Sequence, residues 1–194
     1  MMKVSIKLFV LVLLASCAEY TPKPHGYPKI EFPEKEFETF KNECPFEFDK
    51  PVYSHMIADT GDHTQKCWYN LFFPSFDATL HLSYKYFEDK NQLDSMMEDA
   101  YKLVFKHTIK AEEIDESALT TPFGNNGVFY TISGNTATPF NFFISDENHH
   151  YMRGAFYFNN HTERDSVMPV VDFVKADVMQ MIKSLKFTGQ MQKK

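Results

Sequence analysis

The sequence predicts an α+β domain in which an antiparallel sheet of about six strands is covered by two amphipathic helices, in the order β-β-β-α-β-β-β-α. Three observations lead there. Residues 78–87 alternate strictly, with Leu80, Leu82, Tyr84 and Tyr86 on one side and Thr79, His81, Ser83 and Lys85 on the other, as in a half-buried antiparallel strand. Residues 91–107 and 166–185 instead carry apolar residues at helical spacing. Turn residues divide the rest into short aromatic and β-branched runs, with no internal repeat.

The chain begins with a segment that does not belong to this domain. Lys3 and Lys7 precede the apolar run of residues 8–14, and Leu14-Ala15-Ser16-Cys17 follows. That is the layout of a secretory signal over residues 1–16, and its run is too short to span a bilayer. The cysteine gives it the form of a bacterial lipobox, so Cys17 is expected to be acylated. Each buried methylene adds roughly 0.8 kcal/mol, and two or three chains make the anchor effectively permanent. Ala18, where an aspartate would mark inner-membrane retention, favours the outer membrane, with the domain facing the periplasm. Residues 17–45 then read as the lipidated N-terminus and a proline-rich tether. The alternative is that its aromatic and proline residues dock on the domain or on a partner.

The domain is expected over residues 46–190. Residues 52–58 and 66–73 read as strands joined by a polar turn at Asp59-Thr60-Gly61-Asp62, and 78–87 is the third. In the first helix Leu93, Met96, Met97, Ala100, Tyr101, Val104 and Phe105 form one apolar stripe. Strands follow at 127–134, 139–145 and 151–158. The last helix buries Val167, Val170, Val171, Val174, Val178, Met181, Ile182 and Leu185. Asp165 or Ser166 can cap it, and Pro169 falls in its first turn.

Composition excludes some functions. Asp and Glu number 26 against 20 Lys and Arg, and loss of Lys3 and Lys7 takes the formal charge from -6 to -8. The arginines are Arg153 and Arg164, and no basic cluster exists, so nucleic acid is not a partner. Twenty Phe and ten Tyr supply core material with some left for a partner surface. Lipidation of one of three cysteines leaves Cys44 and Cys67, which in an oxidising periplasm can pair as a disulfide; the alternative is two buried thiols.

Catalytic and metal signatures are weak. Asp59-Thr60-Gly61 shares its letters with aspartic proteases but lacks a second copy, so it reads as a turn. Of eight histidines, His149 and His150 are adjacent and would point to opposite faces of a strand. No His-Glu-x-x-His, Cys-x-x-Cys, Gly-x-Ser-x-Gly, Walker or dinucleotide motif occurs, so no enzyme activity, metal or cofactor is expected. A hydrolase with an unfamiliar site would have to draw on Arg153, His107 and Asp165. Arg153 is the most informative charge, because it sits among the aromatics of residues 151–158. A guanidinium there can serve a structural ion pair or a partner contact.

Several stretches together resemble the GldD-type gliding motility lipoproteins of Bacteroidetes. They are Tyr20-x-Pro22-Lys23-Pro24-x-Gly26-Tyr27, Cys67-Trp68 with Phe73-Pro74, Ser83-Tyr84-Lys85, His107-x-x-Lys110-Ala111, Gly134-Asn135, Arg153-Gly154-Ala155-x-Tyr157-Phe158 and Asp165-Ser166-x-x-Pro169-Val170. The departures lie between Thr136 and His150, where Asn141 replaces a usual glutamine and Glu147 a usual serine. The resemblance implies a palmitate-bearing, non-enzymatic envelope component of gliding and type IX secretion, whose partners are the membrane and other proteins of that machinery. The order of elements, ending in Ser184-Leu185-Lys186-Phe187, also looks like the PsbP/Mog1-type α/β sandwich. A competing reading is a periplasmic lipoprotein that binds a small apolar ligand or lipid in an aromatic-lined pocket.

Overall fold

A seven-stranded antiparallel sheet carries most of the chain, in the order β3-β4-β5-β9-β8-β7-β6, and a second sheet of three strands has the order β1-β2-β10. The strands are β1 (Phe37–Lys41), β2 (Phe46–Pro51), β3 (His55–Ala58), β4 (Tyr69–Phe73), β5 (Ala78–Tyr86), β6 (Ala111–Thr120), β7 (Asn126–Gly134), β8 (Phe140–Ser145), β9 (His150–Phe158) and β10 (Lys186–Phe187). The helices are α1 (Lys90–Phe105) and α2 (Arg164–Ser184). This computed structural model describes residues 30–106, 111–134, 136–160 and 164–189, without the side chains of 164 and 165.

The fold is α+β with antiparallel sheets, as expected, but it holds more strands than the expected six. β6 has four acidic residues in ten, so its sequence looks like solvated loop; it survives as a strand because it is an edge, paired only with β7. The expected strand over 52–58 forms only from His55, because the chain turns after Pro51. The Ser54 N–H returns to the Pro51 carbonyl at 3.1 Å, and only His55–Ala58 pairs with β4. β1 and β2 occupy residues read as tether or as the edge of the domain. Phe46 and Phe48 of β2 are buried, and Phe37 to Lys41 pair with it. Packed structure therefore starts before residue 46: Phe32 stacks on Phe173 of α2 at 4.6 Å. Lys35 Nζ donates to Asp177 Oδ1 at 2.6 Å. Residues 1–29, on which the expected signal peptide and lipidation site fall, lie outside the described residues.

Strand alternation divides the large sheet into two faces. On one face Tyr130, Ile132, Phe143 and Tyr151 pack with Leu93, Ala100 and Val104 of α1. Tyr101, counted in the α1 stripe from the sequence, is instead 47% exposed and stacks on Phe105 at 4.1 Å. On the other face Phe129, Phe140 and Phe156 stack in sequence, with centroids 5.4 and 4.7 Å apart. Lys175 of α2 reaches this face, donating to Thr131 Oγ1 at 2.7 Å over the Phe129 ring. The small sheet covers its other end, where Phe46 lies 5.4 Å from Tyr84 and Phe187 5.2 Å from His150.

Asp89 caps α1, its carboxylate accepting from the Gln92 N–H at 3.0 Å. α2 starts at Arg164, two residues before the expected position, which moves Pro169 beyond the first turn. Cys44, just before β2, is disulfide-bonded to Cys67, just before β4, with Cα atoms 5.7 Å apart. The bond joins the two sheets. Closing a loop of this length stabilises the fold by about 3 kcal/mol in the chain-entropy model.

Two outcomes are expected. The paired Cys44→Ser and Cys67→Ser change should lower the unfolding free energy by about 3 kcal/mol in denaturant titration. A side chain at Gly154 would overlap the Phe142 ring. Gly154→Val should therefore cost at least about 1–3 kcal/mol and lower the melting temperature, as overpacking does.

Candidate functional site

The face of the large sheet that carries α1 is only half covered. β3, β4, β5 and the second half of β9 lie beyond the helix, and their outward residues show graded exposure: His81 and Ile57 are exposed, while Phe72, Ser83, Arg153 and Tyr157 are half-buried. Register determines the arrangement. Ser83 of β5 and Phe143 of β8 stand directly opposite Arg153 from either side, and His81 and Asn141 stand opposite Ala155. Directly opposed Cβ atoms sit about 4.5–5.5 Å apart. Ala155, 3% exposed, is thus enclosed by four larger polar side chains: His81, Asn141, Arg153 and Tyr157.

Each member is held. His81 Nδ1 is 2.7 Å from Asn70 Oδ1, which leaves Nε2 outward, and the imidazole meets the Tyr157 ring edge at 5.6 Å. Burial lowers the His81 pKa, with Asp59 opposing this and Arg153 reinforcing it. Asn141, 2% exposed, donates from Nδ2 to Thr138 Oγ1 at 3.0 Å and accepts from Arg153 Nη2 at 3.4 Å. The Nε–H of Arg153 is buried without an acceptor. Among the described residues no carboxylate pairs with this guanidinium, so the structure shows no ion pair for it.

A concavity of about 400 Å³ lies between the first turns of α1 and the β7–β8 strands. Leu93, Met97, Val128 and Phe143 give it an apolar wall, and Lys90, Asp94, Ser145 and Glu147 line it with polar groups. Its size falls within the usual range for small-molecule sites, though a single aromatic side chain lines it.

Other sequence candidates are dispersed. His149 and His150 diverge: the first stacks on Tyr86 at 5.3 Å, and the second is buried with Nδ1 2.7 Å from the Tyr84 hydroxyl. Asp59 closes its own turn, accepting from the Gly61 N–H at 3.2 Å. His107, the side chain of Asp165 and Cys17 lie outside the described residues. Among the described residues no three His, Cys, Asp or Glu side chains converge as metal ligands, and no helix is long and apolar enough to cross a membrane. Arg153 was visible in the sequence as an unusual cation. His81, Asn141 and Tyr157 were not, because strand register alone brings them to it.

Over residues 17–187 the chain matches the family described as gliding motility lipoprotein GldD. It belongs to that family. The match runs from Cys17 to the last residue of β10, so it takes in both sheets and both helices. No curated protein matches the chain. Family membership makes this a lipoprotein associated with gliding motility and the cell envelope.

Two histidines, the buried His150 and the exposed His81, make the stability of this family member pH-dependent. Burial pushes His150 below its ordinary value of 6.5, with Asp146 and a backbone bond at Gly189 partly opposing and His149 reinforcing the shift. His81 shifts the same way. The unfolded chain therefore binds these protons more readily, so their contribution is complete above about pH 6.5 and is lost as pH falls towards the folded-state values. His150→Gln, which keeps a polar partner for Tyr84, should flatten the fall of the melting temperature between about pH 7 and 5. An unchanged slope would remove His150 from the account.

Proposed function

We propose that the chain is a lipid-anchored, non-enzymatic component or assembly factor of the gliding motility and type IX secretion machinery. In this reading it faces the periplasm, preferably from the outer membrane, and presents the half-open sheet face to an envelope partner. The observation that carries the proposal is the family match beginning at Cys17, the residue a lipobox would acylate. The open face supports it, since a partly exposed aromatic and cationic surface on an anchored domain is suited to protein contact. Acylation would be the anchor, as two or more chains hold where one does not.

The concavity between α1 and β7–β8 favours a second reading, a periplasmic lipoprotein that takes a small amphiphile. Filling it with Val128→Trp separates the two. Gliding should persist in a scaffold and fail in a ligand carrier, provided the variant accumulates normally.

For the first reading, Cys17→Ala should move the protein from the membrane pellet to the soluble fraction and abolish surface gliding and cargo secretion. Cells that glide and secrete normally without the chain would overturn the proposal.

A further inference from the structure

We infer that the Arg153 guanidinium, on the open half of this sheet face, is a receptor for a carboxylate, an aspartate or glutamate side chain presented by a partner protein. The inference rests on the scaffold reading above and names the chemistry of its contact. Its starting point is charge. The chain is acid-rich, 26 Asp and Glu against 20 Lys and Arg, yet the outward positions of β3, β4, β5, β8 and β9 on this face hold no carboxylate. They hold Arg153, Lys85, His55 and His81 instead.

The second observation is an unmet bond. Half-burial removes much of the water that would otherwise solvate the guanidinium, and a charged donor left without an acceptor is costly. Arg153 Nη2 has only a neutral acceptor, Asn141 Oδ1, at the long distance of 3.4 Å, and its Nε–H has none. The nearby acid, Asp59, accepts from the Gly61 N–H in its own turn. A planar guanidinium matches a carboxylate in geometry and charge better than any other protein group does. The third observation is position: Arg153 is half-buried on the uncovered part of the sheet, near the exposed His81 with its outward Nε2 and the half-buried Tyr157 ring. A carboxylate arriving from solvent meets the guanidinium there, with the imidazole and the phenol alongside. The position also lies beside the half-buried Ser83, directly opposite Arg153.

The test is a titration of the isotope-labelled full-length chain in detergent micelles, following the Arg153 Nε–H and His81 ring signals. N-acetyl-glutamate N-methylamide should shift both signals saturably in the millimolar range. Its glutamine analogue and inorganic phosphate should act at least about tenfold more weakly. Arg153→Gln should abolish the response. Ser83→Asp places an internal carboxylate against an intact Arg153 and should abolish it too, with the remaining amide spectrum unchanged, so a misfolded arginine variant does not decide the matter. Absence of saturation, an equal response to the glutamine analogue or to phosphate, or a retained response in Ser83→Asp would each overturn the inference. In cells, Ser83→Asp should stay in the membrane pellet but lose gliding. Failure of the titration while Cys17→Ala still abolishes gliding removes the carboxylate site and leaves the scaffold reading intact.

Discussion

The pairing of β5 with β9 is the constraint on which the rest of the molecule depends. Nine consecutive pairs, from Ala78 with Phe158 to Tyr86 with His150, join the β3-β4-β5 meander to the β6-to-β9 meander across the middle of the sheet. This register decides which face each side chain meets. It sends Leu80, Leu82, Tyr84, Met152 and Phe156 into the core under α2 and the small sheet, and His81, Ser83, Arg153 and Tyr157 outward. A slip of one residue would exchange the two sets. The opposite edge of β9 pins the alignment, because the Phe142 ring of β8 lies over Gly154 where a Cβ has no room. The core and the candidate site are thus consequences of one alignment.

The small sheet depends on that frame in turn. Three strands with one central member are marginal alone, and here they gain stability from what they touch. The Cys44–Cys67 bond ties them to β4. Asp177 of α2, 1% exposed, accepts from Lys35 Nζ and from the Tyr53 hydroxyl, each at 2.6 Å. A carboxylate at that depth requires such partners, so the segment before β1 belongs to the folded unit. Burial, with the adjoining carboxylate, also raises the Tyr53 pKa well above its ordinary value, which keeps the phenol a donor.

What could be read in the sequence follows from how local each signal is. β5 was legible because period-two alternation survives wherever one face is buried, and α1 and α2 because an apolar stripe repeats over three or more turns. β6 was not, because an edge strand needs no buried face along most of its length and is protected from other edges by charge. β1 and β2 were obscured by the prolines around them, and β10, two residues long, exists only through its pairing with β2. The candidate site shows the same division. Arg153 was conspicuous by residue type, whereas the ring around Ala155 joins residues from β5, β8 and β9 that no local pattern relates.

The incomplete cover over that ring has a geometric cause. Seven strands at about 4.8 Å spacing make a sheet about 29 Å wide, while a helix with its side chains is about 10–12 Å across. On the inner face α2 and the small sheet share the width. On the outer face α1 works alone and sits over β7 and β8, where Leu93, Ala100 and Val104 meet Tyr130, Ile132 and Phe143. Geometry requires that some of this face stays open; it does not dictate what stands there. An ordinary solvated face in an acid-rich chain would carry carboxylates to balance its cations. These strands instead keep an uncompensated arginine beside a small residue, a histidine and a tyrosine, at a cost that solvent alone would not require. On the proposal made above, the open half of the sheet is an interface whose partner brings the carboxylate that Arg153 lacks within the chain.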